Sequence, residues 1–291
     1  MARHASLAII SNSLATSKQV LELKNRDATT SVVDANLFKT SLLTQFAGLL
    51  LHLPQEVIAT SIIILQRFLV SSASIATEID LLTTSQLIPE ASLVSASAAS
   101  VYLSAKQSFY PLSPRSIINV YALLTSPEAS LLSFINSNAT GIIHSSEPPN
   151  SRNYHVSEGA YETHRQALFD AESRILASLA FDTKVVLPHT LALTYMQALS
   201  ASTVPLAERV LAHLNAALLS PQLLYLTHQP NALAVAAIYL AAREQEVALV
   251  DDEVAWWEVF DVGREGLGFL VLSMGSLNGF VEAEKVSWTG N

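Results

Sequence analysis

Twice in this chain a run of small residues closes on the same signature. Ala-Ser-Val-Tyr-Leu-Ser-Ala-Lys at 99–106 is answered by Ala-Ala-Ile-Tyr-Leu-Ala-Ala-Arg at 236–243, so Tyr102 matches Tyr239 and Lys106 matches Arg243. The window Ala91–Lys106 is almost entirely Ala, Ser, Leu and Val on every side. A helix with small side chains all round lets its neighbours approach closely, which suits a central, buried helix and not a surface one. Each of the two runs falls on the third clear helix of its half, and that placement points to a duplicated helical module.

The rest of the chain reads as helix of ordinary length. Leu42, Leu43, Phe46, Leu49, Leu50 and Leu53 follow three-and-four spacing up to Pro54, and a second helix runs from Gln55 to about Leu69. Residues 71–90 alternate Ser and Thr with apolar residues and include Pro89, the pattern of a long connection with a short helix at Glu78–Leu82. Ser113 and Pro114 open a helix that lasts through Leu124. Asn136, Asn138, Gly141 and the Pro148–Pro149 pair make 126–155 a loop. Ser157 is the N-cap expected for a long helix reaching about Phe181, with Tyr161, Leu168, Ile175 and Leu179 along one stripe. Further helices are expected at 188–200, 205–219, 230–245 and 265–277, while 1–35, polar and weakly periodic, reads as a flexible leader.

Composition excludes several classes of function. Half of the 291 residues are hydrophobic, 14% are charged and 7% aromatic, a mixture that favours packed helices over sheets. Mean hydropathy is +0.35, yet the greasiest stretches, Val57–Leu65 and Leu42–Leu53, are broken by polar residues and fall short of a bilayer span. With no cysteine there is no disulfide scaffold, Cys-based zinc site or thiol nucleophile. No secretory apolar core stands near the start; Arg3 and Lys18 before the first acid, Glu22, faintly resemble a transit peptide, and an unstructured leader is the plainer reading. A net charge of −9 disfavours nucleic acid, which draws Lys and Arg to its phosphates, and points instead to a protein partner.

No catalytic constellation emerges. Asp251, Asp252 and Glu253 are consecutive, so on a helix they point in different directions and read as a solvated loop, not a magnesium–diphosphate site. None of the eight histidines has the spacing of a zinc hydrolase, and His189, after Pro188, reads as a structural or capping residue. Gly263, Gly266 and Gly268 do not form a phosphate loop. Trp256 and Trp257 are core residues or an interface anchor, and Asn138-Ala139-Thr140 matches a glycosylation sequon. No cofactor or metal is expected.

Several segments together resemble the cyclin family. They are 50–60 running into Gln66, Arg67 and Phe68; Tyr102 to Lys106; Arg115 with 117–120; 171–176; Leu187, Pro188 and His189; 229–243; and 256–260. Their order and spacing are most similar to the transcription-associated L type, with the Q, K, T and C types also similar, and they span about 36–275. The resemblance implies an all-α fold of two tandem five-helix cyclin boxes, at 36–182 and 183–278, between the leader and a short tail at 279–291. It further implies a non-catalytic, nuclear regulatory subunit that binds and activates a cyclin-dependent serine/threonine kinase in RNA polymerase II transcription control. Lys106 and Glu172 would touch the kinase's regulatory helix, joined by Phe109, Leu168 and Ile175.

Each of these residues also has a plainer reading. Lys106 would offset the negative end of its helix dipole, and Glu172 would be a solvated surface charge. The sequence departs from the family pattern where Ser108 and Phe109 replace a customary pair of glutamates, where 71–90 is long, and where the Arg-containing docking motif and the Arg-Ser-rich tail are missing. A general transcription factor with two cyclin repeats, an all-helical enzyme and a non-activating cyclin-fold scaffold are the alternatives. The acidic balance and the lack of cysteine disfavour the first.

Overall fold

Proline and hydroxyl caps decide where the helices begin. The computed structural model describes residues 11–25, 30–79, 90–126, 156–249 and 255–289. Thr16 opens α1 (Ser17–Lys24) with a capping box: the Gln19 side chain accepts from the Thr16 N–H at 2.9 Å and the Thr16 hydroxyl from the Gln19 N–H at 3.3 Å. α2 (Thr30–Leu50) stops short of Pro54, whose carbonyl takes the Val57 and Ile58 amides as α3 (Gln55–Ile79) begins. Beyond α4 (Glu90–Gln107), Ser113 caps α5 (Pro114–Leu124) by accepting from the Ser116 N–H at 3.1 Å. Ser157 caps α6 (Glu158–Ser178) through the Ala160 N–H. Prolines stand in the first turn of α7 (Pro188–Ala198), α8 (Val204–Leu218) and α10 (Pro230–Glu244). A single turn, α9 (Leu224–Thr227), precedes α10, and a 3-10 turn at Glu258–Phe260 precedes α11 (Arg264–Thr289). The described residues contain no strand.

These helices form two compact units. One is built on Leu21–Thr183 and takes in Lys285–Asn291; the other comprises Lys184–Glu284 with the N-terminal residues up to Val20. In the first, α2 to α6 form a five-helix bundle with α4 at its centre, packed against α2, α3, α5 and α6. Every residue from Ala96 to Ala105 is buried except Tyr102, as a small-residue helix at the centre of a bundle requires. Its serines are held without breaking the helix. Ser97 shares hydrogen bonds with Thr44 of α2 (2.7 Å) and Tyr121 of α5 (2.6 Å), tying three helices through one buried hydroxyl. Burial pushes the Tyr121 phenol far above its ordinary range, so this network stays neutral.

The second unit repeats the scheme. α10 packs against α7, α8, α9 and the 3-10 turn, with 233–238 buried and Tyr239 half-buried like Tyr102. The sequence echo therefore marks two central helices.

Three elements differ from the sequence-based expectation. The segment read as a leader is partly ordered against the second unit. Asn12 Nδ2 donates to the Val186 carbonyl and its Oδ1 accepts from the Val186 N–H, both at 2.8 Å. The Gln229 side chain meanwhile accepts from the Asn12 N–H and donates to its carbonyl, both at 3.0 Å. α3 continues ten residues past Leu69 to Ile79, because Ala73 is buried and Ser71 Oγ donates to the Ser178 carbonyl of α6 at 3.0 Å. α11 runs to Thr289, past the expected start of a tail, on a buried stripe of Leu267, Leu270, Met274 and Leu277. As a result two helices, over Gln55–Ala73 and Arg264–Val286, are long and apolar enough to cross a membrane by length and composition; the first lies mostly inside the core and the second is mostly exposed. The remaining residues of the expected 71–90 connection and 127–155, with the sequon, lie outside the described residues, as do Asp251, Asp252 and Glu253.

Candidate functional site

Lys106 and Glu172 meet across the first unit. α4 ends one residue after Lys106, α6 carries Glu172, and close packing of these two helices brings the ammonium to 3.0 Å from Glu172 Oε1. The carboxylate side chain is 11% exposed and the ammonium side chain 55%. The pair is thus lopsided, with an acid set into the protein and a cation over it at the edge of solvent. The carboxylate's hydrogen bond, helped by its charge, raises the Lys106 pKa against a smaller opposing effect of burial. A raised cation pKa stabilises the fold fully below its ordinary value of 10.5 and loses that contribution only as pH climbs through the higher folded value. Lys106 is therefore cationic throughout the neutral range.

Two aromatic rings set the geometry. Lys106 Nζ lies 5.1 Å from the centroid of Tyr102, four residues earlier and so on the same face of α4. The ring centroid of Phe169, three residues before Glu172, is 6.0 Å from that of Tyr102. Neither ring was singled out from sequence as part of the site, although the i, i+4 and i, i+3 spacings carry the signal. Beyond Lys106, Ser108 Oγ donates to the Ala105 carbonyl at 2.8 Å and accepts from the Tyr110 N–H at 3.0 Å. This closes α4 and leaves Phe109 fully in water. Arg115 of α5 reaches α6, bonding Glu158 at 2.8 Å and lying 4.0 Å from the centroid of Tyr161.

Leu168 and Ile175 belong to the core of the first unit. Both are buried, and Leu168 lines a cleft of about 260 Å³ between α4, α5 and α6 with Ser95, Ala98, Ile118, Tyr121 and His164. Their apolar side chains hold α6 on the core, so they set the position of Glu172 and present no surface of their own. Glu172 is correspondingly less exposed than the surface charge of the plainer reading. The structure thus joins Lys106 to Glu172, leaves Phe109 exposed and buries the two aliphatic residues.

Other candidates take structural places. His189 Nε2 is 3.0 Å from Asn215 Oδ1, linking α7 to α8. Trp256 is buried, edge-on to Trp257 and Phe260. Gly263, Gly266 and Gly268 have open space around them. Among the described residues no group of three or more His, Asp or Glu side chains is placed to hold a metal ion.

With this geometry, likeness to known proteins becomes informative. The chain is 26% identical to the cyclin L homolog cyl-1 of Caenorhabditis elegans over 238 residues, 80% of this chain and 44% of that protein. Against Cyclin-L2 of Homo sapiens it is 26% identical over 239 residues, 80% of this chain and 38% of that protein. Cyclin-T1-4 of Arabidopsis thaliana matches at 30% over 122 residues, 42% of this chain and 22% of that protein. The chain is cyclin-like in sequence and in fold. The fold is carried by a chain in the crystal structure of the yeast RNA Pol II CTD kinase CTDK-1 complex, with a TM-score of 0.65 at 12% identity, covering 91% of this chain and 72% of that one. No protein-family model matches. The cyclin-like chain spans less than half the length of the curated relatives it matches. Two tandem five-helix units, each around a small-residue helix ending in Tyr-Leu-(Ser/Ala)-Ala-cation, are the architecture that the sequence resemblance implies.

Proposed function

We propose that this cyclin-like chain is a non-catalytic regulatory subunit that binds and activates a cyclin-dependent serine/threonine kinase in RNA polymerase II transcription. One observation carries the reading: the half-exposed Lys106, set by a buried Glu172 at the edge of a cyclin-type first unit. An ammonium has three N–H donors, and Glu172 takes one of them at 3.0 Å. The others are available to backbone carbonyls of a partner helix, while Glu172 fixes the direction in which they point. Phe109, three residues on, adds an apolar contact to the same edge.

In this reading, binding favours the arrangement of the kinase in which its regulatory helix is docked and its Lys–Glu pair and magnesium site are assembled. ATP and magnesium belong to the kinase, and the subunit contributes differential affinity for one conformation. The acidic balance and the lack of cysteine disfavour a polymerase-bound transcription factor that needs a basic DNA-facing surface or a zinc ribbon. Nuclear residence belongs to the same proposal and follows from the kind of relatives matched.

The test is affinity purification of the tagged chain from its own cells, followed by kinase assay of the captured complex. A cyclin-dependent kinase recovered in near-equal amount and active only with the subunit is the expected result. Lys106→Ala and Glu172→Gln should each weaken that capture while leaving helical content unchanged. Recovery of a kinase that stays inactive would replace activation by scaffolding, and recovery of polymerase machinery without a kinase would overturn the proposal.

A further inference from the structure

α11 has two faces, and the second unit uses one of them. Leu267, Leu270, Met274 and Leu277 are buried. Leu272 stands two positions from both Leu270 and Met274, about 200° round the helix, and is 75% exposed. Phe269 flanks it at 53% exposure, with one side of its ring stacked on His228 at 5.4 Å between centroids. Gly268, Gly275 and Gly279 are exposed on the same outward face. A Cβ added to any of the three would meet nothing within 4 Å among the described residues outside its own helical turn. Glycine is the least favourable helix residue after proline, and these three serve no close approach within the chain. They leave notches on either side of Leu272 where a second backbone can come near.

The outward positions Gly268, Leu272, Gly275 and Gly279 are spaced four, three and four. That spacing reads the same in both directions, so a helix carrying it is complementary to its own reverse. Two copies laid antiparallel about a twofold axis between Ser273 and Met274 bring each Leu272 against the Gly275 of the other, and each Gly268 against a Gly279. A knob enters a notch twice, and the paired glycines let the backbones close at both ends. Charge agrees with this register. Arg264, four residues before Gly268, comes opposite Glu282, three after Gly279, so each end of the pair carries an opposite-sign match. Antiparallel helices also set the positive end of one macrodipole beside the negative end of the other. A parallel pair would instead stack Leu272 on Leu272 and Arg264 on Arg264.

We propose that the outward face of α11 is a self-association surface, on which a second copy of this chain lies antiparallel with each Leu272 seated against the other's Gly275. The contact is isologous and so closes at two copies. From Arg264 to Glu282 the helix is about 30 Å long, and a helix pair of that length buries less than the roughly 800 Å² per partner of a standard interface. The dimer is accordingly weak and concentration-dependent. A bilayer is the rival occupant, since Arg264–Val286 is long and apolar enough to cross one. Insertion would strip Leu267, Leu270, Met274 and Leu277 from the core, and a net charge of −9 opposes an anionic membrane surface. Nothing in this pairing depends on the kinase reading.

The experiment is sedimentation equilibrium of the full chain from low to high micromolar concentration. The mass should rise from one copy to two and stop there. Gly275→Leu fills the notch and Leu272→Ala removes the knob, and each should weaken self-association by about tenfold or more. Leucine is the better helix former, so Gly275→Leu should unfold at the same temperature or higher while losing the dimer, a separation that a purely structural glycine would not give. Arg264→Glu should also weaken the dimer, and combining it with Glu282→Arg should restore it. Leu193→Ala, at an exposed apolar position on α7, is the control and should associate as the unaltered chain does. A chain that stays monomeric throughout, or that grows past two copies, would overturn the proposal. So would a dimer that both Gly275→Leu and Leu272→Ala leave unchanged. Flotation with phosphatidylcholine vesicles that is lost in Leu272→Ala would replace the second copy by a membrane.

Discussion

A close approach of α2 to α3 makes a sharp prediction about Gly48. This residue is buried near the end of α2, against Ile58 of α3. A Cβ added there would stand 2.5 Å from Ile58 Cγ1 and 2.9 Å from Cδ1, inside the distances that carbon atoms tolerate. Taken locally, Gly48→Ala should help, because alanine exceeds glycine in helix propensity by about 1 kcal/mol. The contact opposes this. Ile58 is 1% exposed, and overpacking a core typically costs about 1–3 kcal/mol. The net expectation is destabilisation of about 1–2 kcal/mol. Ile58→Ala alone opens a cavity and should cost about 2–5 kcal/mol. Combined with Gly48→Ala it removes the clashing atoms and lets the new methyl fill part of the space, so the double variant should be more stable than the two single effects added together by about 1–2 kcal/mol. Urea unfolding of the full chain followed by far-ultraviolet circular dichroism measures all four corners of this cycle. A Gly48→Ala midpoint at or above that of the unaltered chain, or strict additivity in the double variant, would refute the close-approach argument.

Three further outcomes follow from other contacts. Asn12→Ala should leave the Val186 N–H and carbonyl without their side-chain partner, and proteolysis at Lys18 should then be faster with α7 to α10 still protected; an unchanged cleavage rate would count against the clasp. Ser97→Ala should destabilise the chain by about 1–3 kcal/mol by removing the buried hydroxyl that bonds both Thr44 and Tyr121. Adding Tyr121→Phe should cost little more, and calorimetry showing independent losses would argue against the shared network. Glu244, held by Arg209 and then His213 against the opposing effect of burial, has its pKa lowered to about 2. A depressed carboxylate pKa stabilises the fold above its ordinary value of 4.5 and loses that contribution as pH falls toward 2. Glu244→Gln should therefore flatten the stability profile between those limits, and an unchanged acid limb would show the group to be immaterial.

Much of this architecture was legible because local chemistry and global packing agree. The small-residue runs ending at Lys106 and Arg243 can be helices only at the centre of a bundle, and each occupies that place. Ser113, Ser157, Pro188 and Pro230 announced helix starts that the caps realise within a residue or two. The Thr16–Gln19 capping box was equally available and announces α1. What misled was composition read in isolation. The Ser-rich stretch after Leu69 has weak helical character, yet a buried Ala73 and the Ser71–Ser178 bond carry α3 across it.

The sequence by itself determined that the chain is all-helical, duplicated and free of thiol chemistry, and it singled out Lys106 and Glu172 as candidates. Those properties depend on residue type and short-range spacing. Only the tertiary structure decided that the ammonium and carboxylate are 3.0 Å apart, that Leu168 and Ile175 are spent on the core, and that Phe109 and Phe181 are left in water. The residues concerned lie tens of positions apart on helices whose rotation is set by every neighbour they pack against. A three-residue spacing names two possible faces of a helix, and burial against the rest of the bundle decides which of them solvent sees.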